Sequence, residues 1–460
     1  MVQTAYASVS NEDRNLILRR FGKHISQGQV RFLTAGHLDI FEGERNGIGF
    51  KETISGKTYI DAFSSAGCFN TGRRNQEIIS ALGKTFEVYD MGSTQFLSRP
   101  KIEFARKLVD LSPGDLNRVF FAGSGADAIE GAIKLARGAT GRKGIISMKD
   151  AYHGHSGFSL SAGGKDHYKE LFTPLMPDFY FAKFGNIHSV KQLASNQIAA
   201  IILETIQGEG GIHIASNEYL KKLREICDQF GILLIFDEVQ TGFGRTGKLW
   251  ACEHSGVIPD MMVLAKSISG GIYPNGAVVY RDIPILTDFV DQHPRFHTTL
   301  GGGSDLGCEV SSKVLDYLVE HHIYENARIM GNRLLKGLRN LKNEHPKILI
   351  DVRGRGLMVG IEYTHEIMGM LMADLLARVG VFAAYSGNAP QVMRFQLPLT
   401  INEQEIDQFL IKIKKAMQLM KIALFFILPL EKIPFIKKYL SDQGFLISIS
   451  AKLRKLEFWK

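Results

Sequence analysis

Six apolar runs between residues 118 and 280 constrain the fold more than any other feature of the chain: "RVFFAG", "KGIISM", "IAAIILET", "GILLIFD", "DMMVLAK" and "GAVVY". None alternates apolar with polar residues, as a strand with one wet face does. Each reads as a strand buried on both sides. Between them lie amphipathic stretches such as "SNEYLKKLREICDQFG". There Leu220, Leu223 and Cys227 fall at helical spacing and Gly231 closes the helix. Buried strands alternating with such helices predict an α/β fold with a mostly parallel sheet. Before it, "GIGFKETISGKTYIDAF" reads as a hairpin around Ser55, Gly56 and Lys57. After residue 305 a long helical segment leads to "VRGRGLMVGIEY" and "VMRFQLPLTI", read as strands of a smaller α+β lobe.

The 460 residues exceed what one simple core holds, which predicts two lobes. The expected division is 1–65 as the N-terminal segment of a small domain, 66–320 as the large domain, 321–420 as the rest of the small domain, and 421–460 as a C-terminal extension. The net charge of +8 is spread along the chain, with only "AKLRKLEFWK" clustered, so a solvated basic surface is expected and no nucleic-acid partner. Cys68, Cys227, Cys252 and Cys308 form no C-x-x-C pair. Reduced thiols in a cytoplasmic protein are expected, with no zinc site. The N-terminus lacks the apolar core of a signal peptide, and "IALFFILPL" is too short to span a bilayer, so no membrane association is expected.

In open parallel sheets ligands sit beyond the carboxyl ends of the strands. Here those ends carry distinctive residues. In "FFAGSGADAIEGAIKLAR" a turn at Gly123, Ser124 and Gly125 opens a helix with Ile129, Ile133 and Ala136 on one face and Glu130 and Lys134 spaced as an i,i+4 pair. Free N–H groups and the helix dipole there suit a phosphate; a serine-capped helix without a ligand accounts for the same residues equally well. "DAYHGHSG" puts Tyr152 and His153 in a loop at the sheet edge. Tyr152 is placed to stack on a planar group or simply to pack. His153 and His155 have no nearby carboxylate or cysteine in sequence, so a metal pair is rejected. "ILETIQGEGG" ends a strand at Glu204 and carries Glu209 in a glycine-rich loop, where a carboxylate matters only if a cation faces it. Asp237 in "LLIFDEVQTGFGRTG" follows five apolar residues and needs a buried partner, with Gln240 one helical turn on. Lys266 also ends an apolar run. A desolvated lysine is the nucleophile of Schiff-base chemistry, whereas a Lys266–Asp237 salt bridge is the alternative.

Together these blocks resemble the class III aminotransferases of pyridoxal-phosphate (PLP) fold type I. In that family a "DE-V/I-Q-TG-GRTG" block precedes an "AK" lysine and a glycine-rich turn, as in "AKSISGGIYPNGAVV" here. "ETIQGEGG", "YHG", "RGRGLMVGIE" and "VMRFQLPLTI" match in family order, over roughly residues 30–420. "KFGNIHSV", "LWACEHSGVIPD" and "GCFNTGRRNQEI" look most like putrescine (diamine) aminotransferases, and ornithine and acetylornithine aminotransferases share the motifs less closely.

The resemblance implies roles. Lys266 holds the cofactor as a Schiff base and shuttles the proton. Asp237 binds the protonated pyridine nitrogen, Gln240 contacts the phenolic oxygen and Tyr152 stacks on the ring. Ser124, Gly125 and Ala126 cradle the phosphate, and His153 and Glu204 join the cofactor-binding set. Arg394 binds a carboxylate of the oxo acid, and Glu209 masks it when an amine enters. Two departures stand out. The family often has Thr at Ala126, and "FHTTLGGGSDLGC" differs from the usual "TTFGGNPLAC". The family's threonine there reaches the phosphate of the neighbouring subunit; Thr299 is the expected residue, with Thr298 as the alternative. The implied enzyme is a homodimer with shared active sites, transferring an amino group from an amine or ω-amino acid to a 2-oxo acid by a ping-pong route. An aminomutase or racemase on the same scaffold, or a silent binding protein, are the rival readings.

Overall fold

A computed structural model describes residues 11–35, 38–93 and 96–431. Two helices, Asn11–Phe21 and Gln27–Ala35, precede strands β1 (Glu42–Asn46), β2 (Gly49–Glu52) and β3 (Thr58–Asp61). The expected hairpin is β2–β3, with Phe50 opposite Tyr59. Then come β4 (Leu116–Ala122), β5 (Gly144–Met148), β6 (Phe179–Ala182), β7 (Ile198–Glu204), the short β8 (Ile206–Gln207) and β9 (His213–Ile214), β10 (Leu233–Asp237), β11 (Met261–Leu264) and β12 (Gly276–Arg281). The later strands are β13 (Leu349–Arg355), β14 (Met358–Tyr363), β15 (Val381–Phe382), β16 (Ala384–Tyr385) and β17 (Val392–Phe395).

The central sheet has seven strands in the order β4-β12-β11-β10-β7-β5-β6. All six apolar runs lie in it. Alternate residues of each inner strand enter different cores, which explains the missing polar alternation. Ile201, Leu203, Leu234 and Phe236 join one cluster, and Ala200, Ile202, Leu233 and Ile235 the other. Burying each such side chain contributes roughly 1.5–3 kcal/mol. The second face is covered by helix Gly125–Thr140, whose Ile129, Ile133 and Ala136 are fully buried. Helices Asn217–Phe230 and Asp305–Glu320 cover the first.

Two local expectations need correction, and one strand was not expected. "GAVVY" forms β12, which runs antiparallel to both β11 and β4, so the sheet is parallel except there. The edge strand β6, the apolar run Phe179–Ala182, was not among the expected strands; it is four residues long and partly exposed, with Tyr180 43% accessible. Glu130 and Lys134 do not pair. Glu130 instead accepts the N–H groups of Phe158 and Ser159, and Lys134 donates to the Phe296 carbonyl.

A four-stranded sheet, β1-β2-β3-β15, joins strands from both ends of the described chain, β15 lying parallel to β3. "VRGRGLMVGIEY" makes the β13–β14 hairpin of another four-stranded sheet, β13-β14-β17-β16, which carries Arg394 on β17. The final helix, Glu403–Glu431, runs unbroken through position 420. The rest of the expected extension, 432–460, lies outside the described residues. Among the described residues no helix is long and apolar enough to cross a membrane.

Candidate active site

The carboxyl ends of β4, β7, β10 and β11 open on a cavity of about 620 Å³, which Ser124, Gly125, Ala126, Tyr152, His153, Glu204, Glu209, Asp237, Gln240 and Lys266 help to line. Strand direction puts them there, because each residue sits at or just past the same end of a strand in one sheet. Asp237 and Glu204 are direct neighbours in the β10–β7 register.

Ser124 caps helix Gly125–Thr140, its hydroxyl accepting the Asp127 N–H at 3.2 Å. The Asp127 carboxylate takes the Gly123 N–H at 2.8 Å. The N–H groups of Gly125 and Ala126, at the first two helical positions, have no intrahelical acceptor and remain for a ligand. The His153 loop presses against this turn through Gly154, whose φ is +126°. A Cβ there would stand 2.6 Å from that of Ala126, so only glycine permits the approach.

Asp237 is buried and its partner is His153, not Lys266. His153 Nδ1 lies 2.7 Å from Asp237 Oδ2, and the Val239 N–H donates to Oδ1 at 3.0 Å. Burial opposes charge on His153, yet the Asp237 carboxylate outweighs it and the imidazole pKa is raised. Glu204 accepts the Tyr152 N–H at 3.2 Å and the Gly208 N–H at 2.8 Å, tying the aromatic loop to the glycine-rich one. Burial pushes its carboxyl up to about 7, with His153 opposing and Asp237 adding.

Lys266 corrects its expected placing. β11 ends at Leu264, and Lys266 starts a short 3-10 turn, half-buried on the cavity wall with φ +47°. A non-glycine residue in the left-handed region is strained and persists only where surrounding structure holds it. The segment after Asp237 is a series of turns rather than a helix, and still delivers Gln240 to the cavity.

Glu209 and Arg394, 185 residues apart, form an ion pair with Nη1 and Oε1 2.5 Å apart. The arginine side chain is 3% exposed. The second oxygen of Glu209 accepts the Gly387 N–H at 2.8 Å. Thr299 does not line the cavity of its own chain. Its hydroxyl lies 3.2 Å from where a Cβ on Gly123 would stand, at the back of the phosphate turn.

The family profile described as aminotransferase class-III matches residues 37–417. The chain belongs to the class III aminotransferases. An uncharacterized aminotransferase of Archaeoglobus fulgidus is 38% identical over 403 residues, 88% of this chain and 94% of that protein. Among solved structures, a transaminase from the marine bacterium Virgibacillus superposes with a TM-score of 0.80 at 29% identity, covering 88% of this chain and all (100%) of that one. The ornithine aminotransferase of Toxoplasma gondii gives 0.78 at 26%, covering 87% and 97%. An (S)-enantioselective omega-transaminase from Thermomicrobium roseum gives 0.80 at 28%, covering 88% and 98%.

Class III aminotransferases depend on pyridoxal 5'-phosphate, and so does this one. The residues present fit that group. Gln240 Oε1 and His153 Nε2 are buried without a hydrogen-bond partner. Two helix N–H groups stand free for an anion, a carboxylate faces the cavity floor and a lysine its wall.

Sequence reasoning missed Ser65, Cys68 and Tyr273 on the cavity wall. Residues 64–67 all have positive φ, a left-handed turn that "SSAG" signals only through its small side chains. Tyr168 also went unnoticed. It ends the short 3-10 turn Asp166–Tyr168 against Tyr152, their ring centres 6.1 Å apart, and no pattern marks it.

Proposed function

We infer that this aminotransferase takes its amino group from an amine or ω-amino acid, a diamine such as putrescine or an ornithine-like donor. It passes the group to a 2-oxo acid such as 2-oxoglutarate in two half-reactions that share one pocket, a ping-pong scheme. The observation that carries this reading is the Glu209–Arg394 pair. A buried free arginine would hold carboxylates and disfavour a cationic amine. Paired, it presents no net charge, and a donor lacking an α-carboxylate enters. A dicarboxylic oxo acid displaces Glu209 and takes the guanidinium by a bidentate contact. Likeness to an ornithine aminotransferase and an omega-transaminase supports that breadth of donor.

When bound, the cofactor supplies an electron sink for the carbon that loses its proton and carries the amino group between half-reactions. Ser124, Gly125 and Ala126 would hold its phosphate, Tyr152 would cover its ring and the Gln240 amide would meet its phenolic oxygen. Asp237 would face the ring nitrogen, its carboxylate fixed by His153 and the Val239 N–H. Glu204 holds the Tyr152 and Gly208 loops in place around this group. Lys266 would anchor the cofactor through Nζ; once that bond is exchanged for one to the donor's nitrogen, the freed Nζ would move the proton from the donor carbon.

The site is completed by a second copy. Phe96, Leu97 and Leu300 are 74%, 97% and 85% exposed, a large apolar area for a monomer. The 90–91 and 305–306 backbones are hydrogen-bonded, which joins these segments beside Thr299. A homodimer through this patch would bring Thr299 of one protomer to the phosphate of its partner. Four free cysteines, three of them buried, fit a cytoplasmic enzyme. The test is to follow each half-reaction separately by stopped flow. Glu209→Ala should slow the diamine half-reaction and spare 2-oxoglutarate, and Arg394→Ala should weaken 2-oxoglutarate most. Equal effects on both halves in both variants would rule the gate out.

A further inference from the structure

Opening the gate strands a carboxylate oxygen, and a phenol hydroxyl stands beside the anchor that Glu209 keeps. Its two oxygens have separate anchors, Oε1 on Arg394 at 2.5 Å and Oε2 on the Gly387 N–H at 2.8 Å. Its main chain is held as well, the Glu209 carbonyl accepting the Asn388 N–H at 3.0 Å. An incoming oxo acid therefore removes one anchor, and the side chain turns about the other. Gly387 is also where Tyr168 arrives. A Cβ on Gly387 would lie 2.6 Å from the Tyr168 hydroxyl and 3.1 Å from Glu209 Oε2, so both groups converge over the same bare backbone.

We propose that Tyr168 is the second station of the gate: when an oxo acid occupies Arg394, the Glu209 carboxylate turns on its Gly387 bond and accepts the Tyr168 hydroxyl. The proposal rests on the gate reading given above. The ring is braced for the role by His155 and His167, with centroids 5.0 and 3.8 Å away. Burial and the nearby Glu209 raise its pKa, which keeps the hydroxyl a donor. With Tyr168 in place the displaced charge is exchanged between two partners rather than left without one. Tyr168 is thus a positioning residue that acts on the oxo acid through Glu209.

Tyr168→Phe removes only the hydroxyl. The expected result is an apparent Kd for 2-oxoglutarate raised about ten-fold, the size of one lost hydrogen bond to a charged group, with the putrescine half-reaction changed less than two-fold. In a Glu209→Ala background the same substitution should have no effect on 2-oxoglutarate, because no carboxylate is left to receive. A ten-fold loss that persists in that background would overturn the proposal, as would equal losses in both half-reactions. Arg394→Ala distinguishes the two levels. If it leaves 2-oxoglutarate binding intact, the gate itself falls and Tyr168's role with it. If it weakens binding while Tyr168→Phe does nothing, only the second station is wrong.

Discussion

Replacing Asp237 by asparagine tests the base of the cavity with the least change in shape. The carboxylate receives two hydrogen bonds, from His153 Nδ1 at 2.7 Å and from the Val239 N–H at 3.0 Å. An amide oxygen can keep the Val239 bond, but the amide NH₂ then faces His153, which must give up its Nδ1 proton to accept. His153 is fully buried, and the Asp237 carboxylate is the main influence that raises its pKa. Without it, burial drives the ring neutral. The variant therefore loses the buried Asp237–His153 pairing and the carboxylate proposed to face a protonated ring nitrogen. A protonated ring nitrogen left buried without that carboxylate would cost about 3–5 kcal/mol, as breaking a buried ion pair does. Expressed in the barrier, that is roughly a hundred- to several-thousand-fold in rate. The assay is single-turnover conversion with an amine donor, followed by cofactor absorbance, with thermal melts showing that the fold survives. A rate within a few-fold of the parent would refute the assignment and require another group to protonate the ring.

Two other outcomes follow from the same geometry. The folded pKa of Glu204, about 7, stands above its ordinary 4.5, so the native protein holds that proton more tightly than the unfolded chain. Its contribution is complete below the unfolded value and is lost as pH rises through about 7, on the order of 3 kcal/mol. The cofactor-free protein should then lose Tm between pH 5 and 8 more steeply than Glu204→Gln; parallel slopes would contradict this. Separately, Lys266→Ala and Thr299→Val chains, each impaired alone, should regain activity when mixed and reassembled. One hybrid site would receive Lys266 from one chain and Thr299 from the other, and no recovery would place the threonine in its own protomer's site or outside any site.

The fold was legible where burial dictates composition. Strands β7 and β10 carry no polar position before their final residues, Glu204 and Asp237, and β11 none at all, because each face meets a different core, and that pattern survives in sequence. β12 reads the same way although it runs antiparallel, because direction leaves no mark on a strand buried on both sides. β6 was passed over although its four residues are all apolar, because a run that short lies at the lower limit of a strand signal. Asp237 announced itself as a carboxylate after five apolar residues. Its partner did not: His153 comes from another strand end, 84 residues away. Glu209 and Arg394 were joined only by family likeness, since an ion pair between a loop and β17 has no local signature. Tyr168 had neither pattern nor likeness to mark it and depended on three-dimensional proximity at Gly387.

Lys266 is the proposed carrier of the cofactor, and every other role in the cavity is placed relative to it. Borohydride reduction of the PLP-loaded enzyme, followed by proteolysis and mass mapping, reads this directly. The cofactor mass should appear on the peptide containing Ala265-Lys266-Ser267 and be absent from Lys266→Ala. Stoichiometric label on any other lysine, or on this peptide's neighbours in the Lys266→Ala protein, would contradict the assignment and the active site built around it.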